Sequence, residues 1–144
     1  MLSNPRAGWC DFELGDVKVS ASYLTDIPFD WLRACLNGLK YVIPASFYLD
    51  EEGSECLITS DWDVTYIIRR HSGKTDLIQP NVNLRQFSEM LLADIRNDFE
   101  SWVCWCSFQL NEEQYARRKA MLTELLAETE KQLETYMTHD IQNY

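Results

Sequence analysis

Residues 10–26 read Cys10-Asp11-Phe12-Glu13-Leu14-Gly15-Asp16-Val17-Lys18-Val19-Ser20-Ala21-Ser22-Tyr23-Leu24-Thr25-Asp26. Cys10, Phe12 and Leu14 alternate with Asp11 and Glu13, the period of a strand with one buried face. Val17, Val19, Ala21 and Tyr23 then alternate with Lys18, Ser20 and Ser22. Gly15-Asp16 sits between the two runs, and Gly at the first central position suits a two-residue hairpin turn. A β-hairpin near the start of the chain is therefore expected.

The period changes after Leu24. Thr25 or Asp26 can cap a helix, Pro28 fits its first turn, and Asp30 lies near the positive end of its dipole. Trp31, Leu32, Cys35, Leu36 and Leu39 follow at helical spacing, and Gly38 marks the end of a helix from about Ile27 to Leu39. Four strands come next. Ala45, Phe47 and Leu49 alternate with Ser46, Tyr48 and Asp50. The turn Glu51-Glu52-Gly53-Ser54 leads into Glu55–Thr59. Trp62, Val64, Tyr66 and Ile68 form one face of a longer strand, with Asp63, Thr65 and Arg69 facing water. His71-Ser72-Gly73-Lys74 then turns into Thr75–Gln79, which Pro80 ends. Turn signals at this spacing indicate an antiparallel meander.

The last third is helical. Asn83 can cap a helix whose stripe runs Leu84, Phe87, Leu91, Ile95, Phe99, Trp102 and Cys106, which predicts one helix about 35 Å long over 84–106. Asn111 caps a final helix with Glu112 and Glu113 in its first turn. Its narrower stripe is Tyr115, Leu122, Leu126, Leu133 and Tyr136, and the polar tail from Thr138 is expected to fray. The order ββαββββαα, without linker or repeat, predicts a single α+β domain over 1–144: an antiparallel meander of about six strands with helices on one face. The other face of the sheet is then free to bind.

The 144 residues carry 13 Lys and Arg against 23 Asp and Glu, a net charge of −10. Nucleic acid and anionic membrane surfaces both call for a basic footprint, so neither is expected as a partner. A basic protein is. Residues Met1 to Arg6 hold no apolar segment of a signal peptide, and no run approaches the roughly 18 apolar residues of a membrane span, so a cytoplasmic protein is expected. The five cysteines (Cys10, Cys35, Cys56, Cys104 and Cys106) are odd in number and irregular in spacing, and read as free thiols.

Motifs for catalysis are sparse. His71 falls in a turn and His139 in the tail. Cys104 and Cys106 diverge if the segment is helical, with Cys106 packed in the core and Cys104 partly buried. No phosphate loop or nucleophile elbow is present, and no motif calls for a metal or another cofactor. Asp61 and Asp63, about 7 Å apart on one strand face and flanking a core-directed Trp62, could hold a divalent cation in a hydrolase. The acids are more informative as a group. Asp50, Glu51, Glu52, Glu55, Asp61 and Asp63 occur in one stretch with no Lys or Arg, and are read as one cluster in space. Such a cluster speeds capture of a basic protein. Trp62, with Trp9 and Tyr48, could anchor beside it.

The run Phe12-Glu13-Leu14-Gly15-Asp16-Val17, leading through Ala21-Ser22-Tyr23-Leu24-Thr25-Asp26 to Trp31-Leu32-Arg33-Ala34, resembles a group of small, acidic, uncharacterised bacterial α+β proteins. The resemblance implies an immunity protein of a polymorphic toxin system: no enzyme, but a binder that neutralises a cognate toxin domain. It carries over no binding residues. Two other functions stay open on the residues alone: a homo-oligomeric adaptor with Leu122, Leu126, Leu133 and Tyr136 as its seam, and the hydrolase based on Asp61 and Asp63.

Overall fold

The computed structural model describes the backbone from Met1 to Gln142 and the side chains as far as Tyr136. The chain is α+β. A three-stranded antiparallel sheet holds β1 (Leu2–Arg6), β2 (Trp9–Leu14) and β3 (Val17–Ser22) in that order. Helix α1 (Ile27–Tyr41) separates it from a four-stranded antiparallel sheet of β4 (Ala45–Asp50), β5 (Glu55–Ser60), β6 (Thr65–His71) and β7 (Lys74–Ile78). Helices α2 (Leu84–Asn97), α3 (Phe99–Val103) and α4 (Glu112–Gln142) follow. The expected single meander of six strands is thus two sheets with seven strands. β3 and β4 touch but do not pair.

The hairpin forms as its sequence dictates. Leu14 pairs with Val17, and Gly15 takes φ +57 in the two-residue loop between them. β1 was not foreseen. Pro5 and Asn4, the latter at φ +52, break its alternation, and its register slips between Ser3 and Arg6. Such features are tolerated because β1 is an edge strand.

Trp31 of α1 joins the layers. Its ring lies edge-on to Phe12 of β2 at 5.7 Å, against Phe47 of β4 at 5.3 Å and beside Phe87 of α2 at 5.7 Å. Its indole N–H donates to the Tyr48 carbonyl. One buried core thus spans both sheets and the helices.

Several local expectations are corrected. Asp26 occupies the N-cap position of α1, but neither its side chain nor that of Thr25 caps the helix. The Asp26 carboxylate instead takes two hydrogen bonds from Arg118 of α4, at 2.7 and 2.8 Å. Gly38 lies inside α1, which ends at Val42 in the left-handed region, φ +53. A Cβ on Gly38 would sit 2.8 Å from a Leu84 methyl and 3.1 Å from the Ala45 Cβ, so the residue is there for close packing.

The long helix over 84–106 breaks at Asp98, φ −136 and ψ 46. Asn97 and Asp98 are poor helix formers whose side chains compete for backbone hydrogen bonds. Beyond α3 the chain is irregular. Trp105 is buried there, while Cys104 is exposed and Cys106 only half-buried, each more open than the helical expectation of a core Cys106 and a partly buried Cys104. The caps at Asn83 and Asn111 form as expected, each reciprocated by a glutamine side chain three residues on. On α4, Leu122, Leu126, Leu133 and Tyr136 are buried in the chain's own core, where α4 packs along α1. The apolar seam assigned to a second copy is therefore filled from within. The fraying expected from Thr138, and His139 with it, lies outside the described side chains.

Candidate functional site

The four-stranded sheet has two unlike faces. Ala45, Phe47, Leu49, Cys56, Ile58, Ser60, Thr65 and Ile67 point inward and are buried. The faces of β6 are thus the reverse of the expected ones. Thr65 and Ile67 are inside, and Tyr66 points to solvent. A one-residue slip exchanges every side chain between faces. The cause is the turn Asp61–Val64. The Asp61 carboxylate accepts from the N–H groups of Asp63 and Val64, both at 2.8 Å, so Trp62 and Val64 lie outside the strand. Thr65 is buried because its hydroxyl pairs with that of Ser60 at 2.6 Å. Ser22 of β3, also expected in water, is buried.

Register then assembles the outward face. Tyr48 stands opposite Leu57, Leu57 opposite Ile68, and Ile68 opposite Leu77. One row of apolar side chains thus crosses all four strands. Tyr66 is in the adjoining row, with Thr59 and Ser46. Relative exposures are 39% for Tyr48 and Leu57, 40% for Tyr66 and 67% for Leu77. The outer face of the three-stranded sheet is different. It carries Asp11, Glu13, Lys18 and Ser20, with Asp11 bonded to Asn4, Arg6 and Ser20. Those bonds hold the Asp11 carboxyl below its usual pKa, the Asn4 bond contributing most. That face is built for water, whereas contiguous exposed apolar surface marks a contact site.

The acids do not form one cluster. Asp50, Glu51, Glu52 and Glu55 flank the β4–β5 turn; Asp61, Trp62 and Asp63 lie in the β5–β6 turn. The six residues of β5 separate the two turns by roughly 17 Å. Nor are all these acids free. Glu51, its side chain 9% exposed, is gripped by Arg69 at 2.9 and 3.3 Å. That bond raises the Arg69 pKa further. Glu55 accepts from Arg70 at 3.2 Å and from the Tyr48 hydroxyl at 3.3 Å. Asp50 accepts the Glu52 N–H at 2.7 Å. Burial, and then the charges of Asp50 and Glu55, push the Tyr48 phenol up.

What remains is an apolar row across the strands with acids on either side of it: Asp50 and Glu52 beyond one end of β5, Asp61 and Asp63 beyond the other. The expected Asp61–Asp63 pair on one strand face does not form, since both lie in the turn. Trp62 is not directed into the core but is 56% exposed beside them. The row Asp50–Glu55–Arg70–Thr75 floors a groove of about 540 Å³ between the β4–β5 and β6–β7 turns. Trp9, by contrast, lies in the other sheet, where its carbonyl accepts the Trp105 indole N–H at 3.0 Å.

Leu57, Ile68 and Leu77 were not among the binding residues expected from the sequence. Their signal was present, since Leu57 and Ile68 each lie beside a core isoleucine and must face the opposite way. No family model, curated protein or solved structure matches the chain. No helix among the described residues is long and apolar enough to cross a membrane.

Proposed function

We propose that the chain is a non-catalytic protein-binding domain that holds a cationic protein against the outward face of its four-stranded sheet. The observation that carries this reading is the outward row Tyr48–Leu57–Ile68–Leu77, one residue from each strand in register, exposed at Tyr48, Leu57 and Leu77 and half-buried at Ile68. An apolar centre with a charged rim is the anatomy of a protein interface, and aromatic residues such as Tyr48, Tyr66 and Trp62 are frequent anchors. The rim acids and the net charge of −10 favour a basic partner and speed its approach.

The resemblance of residues 12–34 to immunity-type proteins makes a bacterial toxin domain the partner of choice. A toxin that acts on nucleic acid is itself basic, and an acidic cover competes for its substrate surface. Such a role belongs in the cytosol, where the five free thiols would persist. The test is neutralisation. The C-terminal domain of a secreted toxin encoded immediately upstream is co-expressed with the chain. Rescue of growth and co-purification at a fixed ratio support the proposal; growth arrest without complex formation refutes it.

A further inference from the structure

We infer that β7 is a docking edge, which takes an extended segment of the cationic partner as a fifth strand of the sheet. The inference rests on the protein-binding function just proposed and adds the mode of recognition. A terminal strand exposes unpaired N–H and C=O groups, and proteins usually blunt such an edge. In this chain β1 is blunted by Pro5, the left-handed Asn4 and a slipped register. β3 and β4 lie against one another. β7 is regular: five consecutive residues pair with β6 without a bulge, and no proline interrupts it. No strand pairs its outer edge among the described residues. Lys74 through Leu77 are all exposed.

There is room beside it. A groove of about 560 Å³ runs along β7, walled on the other side by Asp16, Val17 and Lys18 of the β2–β3 hairpin. A strand laid on β7 would place alternate side chains outward beside Leu77, prolonging the apolar row, and inward over this groove. Of the charges lining the groove, Arg69 is engaged by Glu51. Counting Glu51, three acids (Asp16, Glu51 and Asp76) meet two fixed cations, Lys18 and the Arg69 that stands across from Asp76, with Asp76 also 2.7 Å from His71. The inward positions therefore suit basic side chains.

The same residues disfavour a second copy of the chain. Antiparallel self-pairing of all five β7 residues would set Asp76 opposite Asp76, and like charges directly opposed are destabilising. The occupant is thus a foreign strand that alternates apolar with Lys or Arg, the strand-addition mode of peptide recognition.

The test uses the full chain and a phage-displayed random peptide library. Selected peptides are expected to alternate apolar with basic residues. They should slow amide hydrogen exchange across Lys74–Ile78. Methylating their backbone nitrogens one at a time should cost about tenfold or more in affinity at every second position and little between, because only alternate amides face β7. Leu57→Lys separates the two ideas. Peptides that lose binding to Leu57→Lys but show neither slowed β7 exchange nor the alternation overturn the edge and leave the face in place. Peptides that show the alternation but bind Leu57→Lys unchanged support the edge and count against the face. Failure to enrich any peptide over an unrelated acidic protein overturns the edge.

Discussion

Removing Arg118 should cost more than any other single surface-reaching side chain, and the structure gives the size. The side chain is 15% exposed, and its guanidinium donates twice to Asp26 and also to the carbonyls of Val103 and Trp105. It stacks over Phe29 with its carbon 4.4 Å from the ring centroid. One side chain thus ties α4 to the start of α1 and to the irregular loop after α3. Hydrogen bonds to a charged group contribute roughly 1.5–3 kcal/mol each, but those sharing one group do not add. Breaking a buried pair costs about 3–5 kcal/mol. Asp26 is 40% exposed and can be rehydrated, which lowers the expectation for Arg118→Met to about 2–4 kcal/mol. With a urea m-value of about 2 kcal/mol/M, the unfolding midpoint should fall by about 1–2 M. In a double-mutant cycle with Asp26→Asn, the second change should cost little once Arg118 is gone. A loss below about 1 kcal/mol, or simple additivity of the two, would refute the reasoning.

Three further predictions follow from the core and the thiols. Gly38→Ala should destabilise by about 1–3 kcal/mol in thermal melts, although helix propensity alone favours alanine by ~1 kcal/mol, because the new methyl meets Leu84 and Ala45; a rise in Tm would contradict the packing. Native-state alkylation followed by mass spectrometry should modify Cys104 and Cys106 and spare the buried Cys10, Cys35 and Cys56 until denaturant is added; early labelling of Cys35 would show that α1 is not packed as described. Burial pushes each of those three thiols up to about 12 from 9.0. Above pH 9 the unfolded chain therefore loses thiol protons that the folded chain keeps, and stability should fall between pH 9 and 12 by up to ~1.4 kcal/mol per pH unit per thiol. Cys35→Ala should make that slope shallower, and an unchanged slope in alkaline denaturant titrations would count against it.

The parts of the fold that local pattern determines could be read from residues alone. The hairpin alternates cleanly around Gly15, and Asn83 and Asn111 carry their reciprocal glutamines. Where two patterns competed, the sequence could not choose. Trp62, Val64, Tyr66 and Ile68 alternate as well as Thr65 and Ile67 do, and the decision fell to the Asp61 turn and the Ser60–Thr65 hydroxyl pair. The helical spacing of Ile95, Phe99 and Trp102 ran across Asp98 without a gap, which hid the break. The acids were near in sequence, but a strand of six residues carries its ends apart, so nearness along the chain misjudged the cluster. The apolar row needs the registers of four strands at once, and those come from turns and packing far from Leu57 or Leu77.

The most direct measurement is titration calorimetry of the proposed partner, the C-terminal domain of a toxin encoded immediately upstream, into the chain and into Leu57→Lys. Leu57 is exposed on a central strand, so circular dichroism should show the variant folded. A saturable one-to-one complex that tightens as salt is lowered is expected, with affinity reduced about tenfold or more in the variant. Equal affinity of the two proteins would contradict the claim that this sheet face is the binding surface.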